Sequence, residues 1–96
     1  MQDWTPEGWE LLKTVAFNSY KKSGFPSTAR KVIQDAQDLT ERVKRFPESG
    51  TKIKNVKGQD RYYSVFNLGK VAIWKIEEGS PVFVGAFSSL PNPLPI

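Results

Sequence analysis

The segment from Asp60 to Phe87, DRYYSVFNLGKVAIWKIEEGSPVFVGAF, leaves this chain few options. Aromatic and β-branched residues fill it, and these suit a pleated, half-buried surface. Leu68-Gly69 and Glu78-Gly79 interrupt it at short intervals. Two-residue breaks bearing glycine join antiparallel neighbours. The pattern predicts three consecutive strands, at about 61–67, 70–77 and 81–88, running as a meander.

The upstream half changes period. Thr5-Pro6-Glu7 is a helix start: Thr5 can cap free amides, Pro6 suits the first helical position and Glu7 the positive end of the dipole. Trp9, Leu12, Val15, Ala16 and Phe17 give that helix a broad apolar side, with Leu11 and Tyr20 flanking it, to about Lys22, where Ser23-Gly24 supplies a left-handed stop. Ser27 is the expected cap of a second helix. Its apolar positions Ala29, Val32, Ile33, Ala36, Leu39, Val43 and Phe46 recur at spacings of three and four. Pro47 and Gly50 end it. Thr51 to Lys57 reads as a polar edge strand, where lysines discourage edge-to-edge pairing. The final LPNPLPI cannot enter a sheet interior. The expectation is a single α+β domain over residues 1–89, with two N-terminal helices packed on one face of a three- to four-stranded antiparallel meander sheet, then a Pro-rich arm over 90–96.

Composition narrows the chemistry. With 96 residues the chain builds one modest core. It has no cysteine and no histidine, which removes disulfides, thiolate nucleophiles, the commonest metal ligands and the commonest general base. No phosphate-binding glycine loop, dinucleotide fingerprint or metal motif is present, so no cofactor is expected. Asp35 and Asp38, and the Glu77-Glu78 pair, read as solvated charges. The net charge of +4 leans towards polyanions. No stretch is apolar enough to span a membrane and MQDWTPEGWE carries no secretory pattern, so a cytoplasmic protein with no membrane partner is expected.

Register decides what the sheet faces do. If both glycine breaks are tight hairpins, Asn67 meets Lys70 and Glu77 meets Ser80. Continued without irregularity, one face collects Phe66, Val71, Ile73, Val82, Val84 and Ala86, with Tyr62, Ser64 and Lys75 at one end. The other collects Arg61, Tyr63, Val65, Lys70, Ala72, Trp74, Ile76, Phe83, Gly85 and Phe87. Two helices cover one face only. Three outcomes stand. The aromatic face is a platform on which Tyr63, Trp74 and Phe83 stack bases while Lys52, Lys54, Arg61 and Lys70 hold phosphates; or Leu90, Leu94 and Ile96 of the arm close a second core over it; or the faces are exchanged and the aromatic one is packed. Lys52, Lys54 and Arg61 form the most suggestive basic set. A histidine-free ribonuclease would need Lys and Arg for phosphorane charge and Lys52, Lys54 or Tyr63 to move protons.

Two helices followed by KIK, a turn and RYYSVFNLGKVAIW resemble the RelE/ParE toxin superfamily over about Ala29 to Ser89. RelE members cut messenger RNA at the ribosome, and ParE members target gyrase. The resemblance implies a metal-independent ribonuclease toxin, whose basic site positions fall on Lys52, Lys54 and Arg61, with RNA or the ribosome as target. The expected site is Lys52, Lys54, Arg61 and Tyr63 for catalysis and Lys70, Trp74, Phe83 and Phe87 for binding. The competing expectation is a non-enzymatic inhibitor or accessory subunit that uses the same aromatic face on an acidic protein such as an antitoxin.

Overall fold

The computed structural model describes residues 2–53 and 59–95. Helix α1 spans Pro6–Ser23 and α2 spans Pro26–Arg45. Four strands follow, β1 Thr51–Ile53, β2 Arg61–Asn67, β3 Lys70–Glu77 and β4 Ser80–Phe87. They form one antiparallel sheet in sequence order, with α1 lying mainly on β4 and α2 on β2. This is the expected α+β arrangement.

The helix ends follow their local chemistry. Thr5 Oγ1 accepts from the Gly8 amide at 2.9 Å, and Gly24 adopts the left-handed conformation at φ 77° while its amide donates to Tyr20 O. Helix α2 starts earlier than the expected Ser27 cap: Phe25 is its extended N-cap and Pro26 its first residue. Proline at that position needs no side-chain cap to fix the backbone. Both hairpin loops have positive φ at both central residues, Leu68 and Gly69 in one and Glu78 and Gly79 in the other. That is the primed turn whose twist matches paired strands.

The faces differ from a regular register because each outer strand of the meander holds an irregularity. Asn67 meets Lys70 as expected, but Val65 then meets Val71, so Phe66 is an extra residue and Tyr62 lies opposite Trp74. Lys75 meets Val82 as expected, but Trp74 meets Phe83 and Ile73 meets Gly85, so Val84 is extra. A one-residue bulge carries every following side chain to the other face. Tyr62 and Ala86 are thereby brought to the side of Trp74, and that side faces the helices.

The core is therefore aromatic. Tyr62, Ala72, Trp74, Phe83 and Ala86 pack against Trp4, Leu12, Val15, Ala16, Val32, Ala36, Leu39 and Val43. Four rings cross the sheet in a row: Tyr62 and Trp74 at 6.0 Å, Trp74 and Phe83 at 5.3 Å, and Phe83 and Trp4 at 4.8 Å between centroids. Trp4 reaches this row because residues 3–5 run beside β4. Phe83 N donates to Asp3 O and Thr5 N donates to Phe83 O, a parallel bridge at the sheet edge. The buried indoles are satisfied: Trp74 Nε1 donates to Pro47 O at 2.8 Å and Trp4 Nε1 to Thr40 Oγ1 at 3.0 Å. Leu94 of the C-terminal arm is also buried, and with Val71 and Ile73 it stands outside the helix-side cluster. The far face thus has its own small apolar layer, although Leu90 is largely exposed and Ile96 lies outside the described residues.

Candidate functional site

Burial removes two of the expected binding residues. Trp74 and Phe83 are both 0% exposed and inside the ring row beneath the helices. Neither can offer a ring face to a base or to a protein partner, so the exposed aromatic platform is replaced by the third alternative, in which the aromatic face is the packed one. Trp74 and Phe83 still pair as the turns predict; the helices lie on their face, and the two bulges add Tyr62 and Ala86 to it.

The remaining residues are separated by the pleat. Ile53 pairs with Arg61 and Lys52 with Tyr62, so Lys52 is on the helix side of the sheet and Arg61 on the far side. Tyr63 and Phe87 also fall on the far side, opposite Ile73 and Val71, and both are half-buried. Lys70 is engaged at the other end of the sheet, where its Nζ donates to Asn67 Oδ1 while the Asn67 amide donates to Asp35 at 2.8 Å. It joins no site with Arg61. Lys54 lies outside the described residues.

Arg61 acquires a neighbour that sequence reasoning missed. Extending the Tyr62 to Trp74 pairing by one residue sets Arg61 directly opposite Lys75, on the far face. Opposed residues on an antiparallel pair have Cβ atoms about 4.5–5.5 Å apart. The regular register had put Lys75 under the helices; the alternation within β3, once Trp74 is known to point inward, is the signal that finds it. Both residues line a half-open cleft of about 460 Å³ at the sheet end, with Tyr62, Glu48, Asp60 and Glu77. Lys75 is ion-paired with Glu77. Arg61 forms no ion pair among the described residues; its guanidinium donates to Gln59 Oε1 and to Asp60 O at 3.2–3.4 Å, and its buried Nε has no partner. A larger, more apolar groove of about 650 Å³ adjoins it beside Phe46, Pro47 and Ile76 and contains none of the expected residues.

Lys52 is committed elsewhere. Its ammonium donates to Asp60 at 3.1 Å, and this hydrogen bond, with the charge of that carboxylate, holds the Lys52 pKa above its ordinary value. A lysine shifted that way keeps its proton. It stabilises negative charge and does not serve as a base.

No protein-family model matches the chain, and no curated protein matches it. Among the described residues no helix is long and apolar enough to cross a membrane, and no group of three or more acidic side chains is placed to hold a metal ion.

Proposed function

We propose that this chain is a small RelE-like toxin domain that acts on RNA by gripping its phosphate backbone, with Arg61 and Lys75 as the principal contacts and Tyr63 beside them. The observation that carries this reading is that Arg61 and Lys75 line one cleft, one residue beyond the Tyr62–Trp74 pair of β2 and β3. A phosphate bridging the two cations accepts charge-assisted hydrogen bonds from both, taking the place of Glu77 at Lys75. Arg61 suits the role, because its planar fork matches phosphate oxygens and its charge meets neutral acceptors instead of a carboxylate. Lys52, protonated and on the other side of the strand end, adds field and not proton transfer. The reading is one of phosphate-backbone binding, a narrower function than the ribonuclease expected from the resemblance.

The test is binding of a single-stranded oligouridylate by fluorescence anisotropy between about 50 and 300 mM salt. Each phosphate contact contributes about −0.7 to the slope of log K against log salt. Arg61→Ala with Lys75→Ala should make the slope shallower by roughly 1.4 for two contacts, on the same basis. A salt-independent affinity, or an unchanged slope in the double variant, refutes the assignment.

A further inference from the structure

The rings that remain bare are on the helices, not on the sheet. Helix α1 turns Gly8, Leu12, Val15, Ala16 and Ser19 inward. Phe17, Tyr20 and the Phe25 that follows the left-handed Gly24 point outward, at 56%, 38% and 68% exposure. Phe17 and Tyr20 lie 6.3 Å apart, and Trp9, two turns earlier on the same flank, is half-buried. Single exposed apolar residues need no explanation, but neighbouring large rings do.

The charge along this stretch of sequence has one sign. From Leu11 to Gln34 the sequence holds Lys13, Lys21, Lys22, Arg30 and Lys31 and no Asp or Glu, a local charge of +5 against +4 for the whole chain. Lys21 lies over the Phe17 ring at 5.6 Å and Lys13 over Trp9 at 5.7 Å. The carboxylate nearest this surface in α1, Glu10, is paired with Lys13.

We infer that this surface of α1 and the α1–α2 turn is a docking site for an acidic amphipathic segment of another protein, whose apolar side covers Phe17, Tyr20 and Phe25 while its carboxylates meet Lys21 and Lys22. Two features favour a protein over a nucleic acid. Phe17 and Tyr20 are inclined at 52°, so consecutive bases cannot stack on both. The surface is the convex side of a helix, on which a second helix lays a matching apolar side at spacings of three and four. Aromatic residues are enriched in interface hot spots. The site is remote in sequence from Arg61 and Lys75 and stands independently of the RNA reading.

The experiment uses the full chain and two labelled helical peptides of equal hydrophobicity, one with Glu and one with Lys at the flanking positions. The Glu peptide should bind and the Lys peptide should not. Phe17→Ser with Phe25→Ser, both at exposed positions, should weaken the Glu peptide at least tenfold, the scale of losing hot-spot rings, and leave oligouridylate affinity unchanged. Equal binding of the two peptides, or a Phe17/Phe25 variant that binds as well as the parent, overturns the inference. So does displacement of the Glu peptide by phosphatidylserine vesicles or by oligouridylate, since either result assigns the surface to a lipid or a nucleic acid. Unchanged far-ultraviolet circular dichroism and melting temperature in the variant separate loss of the surface from loss of the fold.

Discussion

Gly50 occupies the tightest place in the molecule, and a single methyl group there has a calculable consequence. A Cβ at Gly50 would overlap Cη2 of Trp74 and lie 2.6 Å from its Cζ2 and 2.7 Å from the carbonyl oxygen of Tyr63. Neither neighbour can yield cheaply. The Trp74 ring is fully buried, flanked by Tyr62 and Phe83 and tied by its Nε1 to Pro47 O. The Tyr63 carbonyl belongs to the paired backbone of β2. Overpacking a close-fitted site costs about 1–3 kcal/mol, and two rigid neighbours place Gly50→Ala near the upper limit. Loss of glycine freedom in the unfolded chain offsets about 0.4–1 kcal/mol of this. The net is roughly 2 kcal/mol of destabilisation. At about 4–8 °C per kcal/mol for a domain of this size, Tm should fall by roughly 8–16 °C, read by calorimetry or circular dichroism. Trp74→Phe removes the ring edge that clashes. In that background Gly50→Ala should cost at least about 1 kcal/mol less than in the parent, a coupling of the size found for residues in contact. A fall in Tm below about 3 °C, or additivity of the two substitutions, would refute the reasoning that the indole edge dictates glycine here.

Two further outcomes follow from satisfied polar groups. Thr40→Val keeps the side-chain shape but strands the buried Trp4 Nε1, so it should cost about 1–3 kcal/mol in urea unfolding, whereas Thr40→Ser retains the acceptor and should cost less; equal stability of the Val variant and the parent would contradict the role given to this bond. The Asp35 carboxyl is held below its ordinary value of 3.8, first by the hydrogen bond from Lys31 and also by Asn67, against the opposing effect of burial. A lowered folded-state pKa gives stability that is present above the unfolded value and is lost as pH falls through the folded one. Asp35→Asn should therefore be less stable than the parent at neutral pH, and the gap should close as pH drops below about 3.8; a gap that stays constant into acid would count against it.

Both hairpins were legible because their signals are local: a glycine in a two-residue loop needs only its own positive φ to set the chain reversal. The helices were legible for a similar reason, from caps and period. The candidate site was only half legible. Arg61 is visible as a basic residue at the start of a strand, but no local signal says that the helices cover the Trp74 face, which leaves Lys75 outside, or marks Phe66 as the extra residue that sets Arg61 opposite it. Period places Phe17 in the apolar side of α1 and Tyr20 on its flank, yet both are exposed, since periodicity cannot say how wide a face its neighbours will cover.

What the sequence by itself determined is the order and direction of the elements, and with them an α+β meander under two helices. Their causes lie within a few residues of one another: capping, helical period and turn chemistry. Which sheet face is sealed, and which side chains remain outside, was decided only by the tertiary structure. The helices cover the Trp74 and Phe83 face, and two bulges bring Tyr62 and Ala86 to it, so the large rings pack together beneath the helices. That choice depends on packing between distant segments, so only the assembled fold contains it.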